Sequence, residues 1–126
     1  MALTLKVFPE EYSILRLNPD EPLPDWIRQD KFLAITRTPD ELSVVAVQNN
    51  DIPGEIKVSK NWRMIMIMGP LDFGMVGIIA GITAVLAKKK IPVFVISTFD
   101  TDYFLVKSEK LDETIATLEQ EQYIFV

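Results

Sequence analysis

A chain of 126 residues with 13 Lys and Arg against 18 Asp and Glu carries a formal net charge of −5, and it contains neither cysteine nor histidine. Those absences exclude disulfides, thiolate zinc sites, cysteine nucleophiles and imidazole bases, so the usual triads and transition-metal centres cannot be built from its side chains. The acidic balance is the wrong sign for phosphate-driven nucleic-acid binding, and the chemistry left to carboxylates, lysines and hydroxyls points to a non-catalytic protein needing no cofactor.

From the N-terminus, residues 3–8 and 12–17 both alternate apolar and polar side chains, and the intervening Pro9-Glu10-Glu11 predicts two short strands rather than one. Nothing in this start has the basic head and long apolar middle of a signal peptide, so a cytoplasmic protein is expected. The stretch 18–24 holds three prolines among Asn, Asp and Glu, which is turn chemistry, and a short helical turn is expected around Asp25, Trp26, Ile27 and Arg28, with Trp26 at an edge of the core. Two apolar runs, 32–37 and 42–47, flank Thr38-Pro39-Asp40-Glu41, and proline followed by aspartate suits a type I turn; this is a hairpin. The polar segment 48–60, with Pro53-Gly54, is the expected boundary between an N-terminal part (1–60) and a C-terminal part (61–126).

The pattern from Trp62 onward predicts a strand over 62–68, a loop at Gly69-Pro70-Leu71-Asp72, a helix from about residue 73 to 89, and a strand over 91–97. A polar turn, a strand over 103–106, a second helix capped by Ser108 and a last strand over 122–126 complete it. In the second helix Leu111, Ile115 and Leu118 form the apolar stripe, with Asp112 and Glu113 in the first turn, where they suit the helix dipole. The uncharged run 73–87 is about five residues short of the roughly twenty a membrane span needs, so a buried helix and no membrane anchor are expected. Strand, helix, strand, strand, helix, strand is the order of a ferredoxin-like βαββαβ unit, an α+β fold with an antiparallel sheet and helices on one face.

Two segments of this C-terminal part carry site chemistry. Free backbone N–H groups where a strand passes into a helix, around Asp72, Gly74, Met75 and Val76, make an anion site that suits an α-carboxylate; Asp72 as a plain cap and Gly74 as a packing glycine are the alternative. The turn from Ser97 through Thr98, Phe99, Asp100 and Thr101 to Asp102 offers hydroxyls and carboxylates that suit an ammonium group, or else simply solvate a turn. Asp72, Asp100 and Asp102 together would suit an amino acid whose total charge is positive. Gly74, Gly77, Gly81 and Ala84 recur at helical spacing and predict close approach of another element or subunit on that face. The run Lys88-Lys89-Lys90 complements the helix C-terminus.

These residues resemble a known family. The segment 62–126, with Gly74-Met75-Val76 at its helix start and residues 96–106 at its strand junction, resembles an ACT domain of the aspartate-kinase and CASTOR-type subgroup, and residues 32–41 resemble the hairpin that precedes such a domain in the CASTOR-type arginine sensors. The resemblance implies a regulatory, allosteric sensor that binds a free amino acid, with backbone contacts from Gly74, Met75 and Val76 and further contacts from Asp72, Thr98, Phe99 and Asp102. It also implies an incomplete ACT-like part over 1–60 and, because such sensors hold two halves in one chain and this one holds a single half, a homodimer. An ACT-like assembly or docking module without a metabolite is the alternative.

Overall fold

The computed structural model describes residues 3–68 and 76–126, so Asp72, Gly74 and Met75 lie outside the described residues. The chain forms two compact units, Glu10–Trp62 and Met1–Pro9 with Arg63–Val126.

In the unit of residues 10–62, β2 (Leu33–Arg37) and β3 (Leu42–Val47) pair antiparallel, as the hairpin pattern predicts. The Thr38 N–H donates to the Glu41 carbonyl (2.8 Å), while the Thr38 hydroxyl accepts from the amides of Asp40 and Glu41, so the turn satisfies its own polar groups. β3 also pairs antiparallel with residues 12–17 of β1 (Thr4–Leu17). Leu15, Leu17, Leu42, Val44, Ala46 and the buried Ile27 form the core of this unit, with Trp26 packed partly buried against it. The expected helical turn at 25–28 is a single turn closed by the Ile27 N–H on the Pro24 carbonyl. β4 (Lys57–Ile67) begins inside the stretch expected to be a polar boundary. Asn61 adopts a left-handed backbone (φ 66°), and its amide and side chain both bond the Gln48 side chain, at 2.7 and 3.1 Å.

The two strands expected over 3–8 and 12–17 are one continuous strand of fourteen residues, β1. Proline interrupts a strand only where its missing N–H is needed: β7 (Ile124–Phe125) pairs with Thr4 and Leu5, β3 with residues 12–17, and Pro9 falls between the two pairings.

In the other unit, β4 is followed by α1 (Ile78–Lys88), β5 (Phe94–Ser97), β6 (Asp102–Lys107), a 3₁₀ turn (Ser108–Lys110), α2 (Leu111–Gln120) and β7. β7 lies on β1, β1 beside β4, β4 beside β6 and β6 beside β5. The sheet is therefore completed by the N-terminal strand, and the β1–β7 pair is parallel where a wholly antiparallel sheet was expected. Leu5, Ile65, Ile67, Ile82, Leu86, Ile91, Phe104, Val106 and Leu118 form its core.

Helix α1 starts five residues later than expected. Gly77 precedes it in the left-handed region (φ 78°, ψ 2°), a conformation that costs glycine nothing. Of the stripe of small residues, Gly74 lies outside the described residues, Gly77 is required by its backbone, Ala84 is exposed, and a Cβ on Gly81 would meet the Tyr123 hydroxyl at 3.4 Å. Both helices end in Schellman motifs. The Ile91 N–H donates to the Leu86 carbonyl and Lys90 N–H to Ala87, and in α2 the Tyr123 N–H donates to Leu118 and Gln122 N–H to Glu119. Lys90 (φ 59°) and Gln122 (φ 73°) occupy the left-handed position that glycine usually fills.

Ser108, expected as the cap of α2, opens the 3₁₀ turn that precedes the helix, and Lys110 is the residue immediately before α2. The buried face of α2 is Thr114, Thr117 and Leu118 rather than a stripe running through Ile115; the Thr114 hydroxyl satisfies itself by donating to the Lys110 carbonyl, 2.7 Å away.

Candidate functional site

Ser97 and Asp102 are the last register pair of the β5–β6 hairpin, so the four residues between them form its turn. The Thr98 N–H donates to the Thr101 carbonyl at 2.8 Å, and the Thr98 hydroxyl both donates to that carbonyl (3.0 Å) and accepts from the Thr101 amide (3.3 Å). The Ser97 hydroxyl donates to Asp102 Oδ1 at 2.5 Å. These bonds are local side-chain-to-backbone contacts of the kind that make Ser, Thr and Asp turn formers.

Thr101, not named among the expected contacts, is the residue that positions the turn. It is 4 % exposed, and its hydroxyl donates to the Ile67 carbonyl at the end of β4, 2.6 Å away. The hairpin tip is thereby fixed to the strand from which the chain leaves toward 69–75. No sequence signal separates this hydroxyl from its neighbours, since alternation around Asp100 and Asp102 marks only a turn.

Of the expected contacts, Thr98 and Asp102 are held by the turn's own hydrogen bonds, and Phe99 stands at the tip, 80 % exposed. Val76 is 89 % exposed and is not part of the helix it was expected to open. The amides of the first helical turn belong to residues 78–80, ahead of the first intrahelical bond from Gly81 N–H to Gly77 carbonyl (2.8 Å). No acidic side chain lies in that turn, so the positive end of the α1 dipole is not neutralised from within the helix. Among the described residues, no group of three or more Asp or Glu is placed to hold a metal ion, and no helix is long and apolar enough to cross a membrane.

An α+β unit in which two helices accompany a sheet ordered β7-β1-β4-β6-β5, with a polar hairpin tip fixed to the strand end that precedes α1, defines the class of protein. The chain belongs to the ACT domain family: the ACT domain model matches residues 57–120, and a second model, an N-terminal domain, matches residues 10–55. A crystal structure of a protein from Agobacterium tumefaciens is 34% identical and superposes with a TM-score of 0.90, covering 100% of this chain and 93% of that one. Aspartokinase alpha and beta subunits share the fold at 14% identity and a TM-score of 0.65, over 95% of this chain and 97% of that one. So does a chain from Porphyromonas gingivalis described as a candidate C-terminal regulatory domain of aspartate kinase, at 18% identity and a TM-score of 0.59, over 94% of each. ACT domains are regulatory and often bind amino acids.

Proposed function

We propose that this protein is a non-catalytic regulatory module that binds a free amino acid between the β5–β6 turn and the segment leading into α1. The observation that carries this reading is the Thr101–Ile67 hydrogen bond, which fixes the turn to the strand end from which that segment departs. In this reading the α-carboxylate is received by backbone amides of the segment from Gly74 through Val76 and of the first turn of α1. Asp102 receives the ammonium group, with Asp72, Thr98 and Phe99 as further contacts. The C-terminal unit is read as a ferredoxin-like ACT domain with β1 inserted, and the N-terminal unit as an incomplete one. Two copies of the chain, in the cytoplasm, rebuild the side-by-side pair of halves that the resemblance implies.

Thermal unfolding against each of the twenty amino acids tests this, because a ligand at 100 times its dissociation constant adds about 2.7 kcal/mol to native stability. The shift is expected with at least one of them and to vanish in Asp102→Ala. Ser97→Ala is the control, since it removes the same hydrogen bond but keeps the carboxylate. No shift at millimolar concentration with any amino acid refutes ligand binding.

A docking module without a metabolite is the second reading. The mutual satisfaction of Ser97, Thr98, Thr101 and Asp102, together with the exposure of Val76 and Phe99, favours it. Light scattering on the eluting protein checks both, and a monomer at high concentration contradicts the paired arrangement.

A further inference from the structure

We infer that β2 is the docking edge for a second copy of this chain, the two β2 strands pairing antiparallel about Ile35. β2 lies at the end of the strand order and has β3 on one side only. The register fixes which backbone groups lie on the other side. The Thr38 N–H donates to the Glu41 carbonyl, and directly bonded pairs alternate along an antiparallel ladder, so Thr36 with Ser43 and Ala34 with Val45 are the bonded pairs of β2. The N–H and C=O groups of Leu33, Ile35 and Arg37 therefore point away from β3, in the row that an added strand completes.

Little in the strand blocks such pairing. Edges that stay free are kept so by proline, by bulges or by charges along the strand. β2 runs through five consecutive pairs without a bulge, residues 33–36 hold neither proline nor charge, and Ile35 at the midpoint is 47 % exposed. Arg37 is the one charged residue of the strand, and its Nη1 donates to the carbonyls of Pro19 and Glu21 on its own chain.

The edge complements itself. With Ile35 opposite Ile35, Leu33 lies opposite Arg37 in both directions, and the outward N–H groups of each strand meet outward carbonyls of the other. The two exposed isoleucines become cross-strand neighbours, their Cα atoms about 5.5 Å apart, and cover each other. The ends of the edge carry opposite charge. Lys31, half exposed and 3.7 Å from Glu10, precedes the strand; Asp40 and Glu41 follow it, and neither takes part in an ion pair among the described residues. Antiparallel pairing brings Lys31 of each copy beside the Asp40 end of the other, where parallel pairing sets like charge beside like. This edge belongs to the N-terminal unit and is separate from the side-by-side pairing of halves in the function proposed above, so the two are tested apart.

The absence of cysteine makes a disulfide trap clean. Under mild oxidation of the full-length protein, Ile35→Cys is expected to link two chains at least about tenfold faster than Thr36→Cys, because the paired Ile35 positions lie within the Cα spacing that a disulfide spans and the Thr36 positions, about 8 Å apart, do not. Val95→Cys, at an exposed position on the edge strand β5 of the other unit, reports that edge independently. In sedimentation equilibrium, Ile35→Lys is expected to halve the mass of the wild-type assembly and Ile35→Val to leave it unchanged. Equal rates for Ile35→Cys and Thr36→Cys, linkage through Val95→Cys alone, or a mass that Ile35→Lys does not alter overturns pairing through β2. A wild-type pair reduced to single chains by Ile35→Lys supports the β2 edge and contradicts the side-by-side pair, whereas an assembly of four reduced to pairs supports both.

Discussion

The two ends of α1 offer a pair of substitutions with opposite expected signs and no change in packing. Gly77 precedes the helix at φ 78°, and a Cβ placed on it meets nothing within 4 Å. Gly77→Ala therefore tests the backbone alone: forcing an L-residue into the left-handed region costs about 1–2 kcal/mol, offset by about 0.4–1 kcal/mol from a less flexible unfolded chain, for a net loss of about 0.5–1.5 kcal/mol. Lys90, exposed at the other end with φ 59°, already bears that cost. Lys90→Gly relieves it but gives the unfolded chain more freedom, and the net gain is about 0.5–1 kcal/mol. Lys90→Ala is the control, because it removes the same charge near the helix C-terminus and keeps the strained backbone. In urea titrations followed by far-UV circular dichroism, the midpoint is expected to fall for Gly77→Ala, rise for Lys90→Gly and stay near wild type for Lys90→Ala, with the slope unchanged throughout. A rise for Lys90→Ala equal to that for Lys90→Gly would show that charge and not backbone conformation governs the position. A neutral Gly77→Ala would mean that the left-handed turn before α1 relaxes freely.

Thr101→Val preserves shape but leaves the Ile67 carbonyl without its 2.6 Å donor, and a loss of about 1–3 kcal/mol in the urea-derived stability is expected. Tyr123 has its pKa raised above the ordinary 10.0, first by burial and then by the charge of Glu121. Its neutral phenol is favoured in the folded state, so its contribution is complete below about pH 10 and is lost as pH rises through the higher folded value; Tyr123→Phe is expected to flatten that alkaline limb in thermal melts at stepped pH. Residues 61–126 expressed without the N-terminus are expected to show no cooperative urea transition, because Leu5, fully buried with Ile65, Ile67 and Phe104, is missing along with the amide bonds of Ile124 and Val126 to Leu3 and Leu5. A sharp transition from that fragment would refute the view that β1 completes the unit.

What was legible in the sequence is what rests on local chemistry. The hairpin over 33–47 announces itself because Thr-Pro-Asp-Glu makes a turn that satisfies its own hydrogen bonds, and the alternation on either side needs only one buried face. The helix after the Gly-rich run and the polar tip between β5 and β6 were legible for the same reason. What was not legible depends on partners distant in the chain. Pro9 reads as a break until β7 and β3 are seen to pair on either side of it. The uncharged run before Ile78 carries no marker for the helix start, since the left-handed backbone of Gly77 does not alter the apolar pattern. Thr114 and Thr117 look like surface residues until their hydroxyls are traced; the one at Thr114 returns to its own helix.

At the hairpin tip the fold and the proposed ligand compete for the same polar atoms. The Thr98 hydroxyl makes two bonds to Thr101, the Thr101 hydroxyl is committed to Ile67, and the Ser97 hydroxyl is committed to one oxygen of Asp102. A ligand there gains little from these hydroxyls unless the turn opens, and opening it strands a carbonyl that Thr101 now satisfies. Recognition at this end must then come chiefly from groups the turn does not use: the second oxygen of Asp102 and backbone amides such as those at the start of α1. It follows that a Thr98→Ala variant acts through the stability of the turn, whereas Asp102→Asn, which keeps an oxygen for Ser97 and removes the charge, acts through the ligand. An amino-acid response that survived Asp102→Asn but not Thr98→Ala would place the contact on the turn itself and not on its carboxylate.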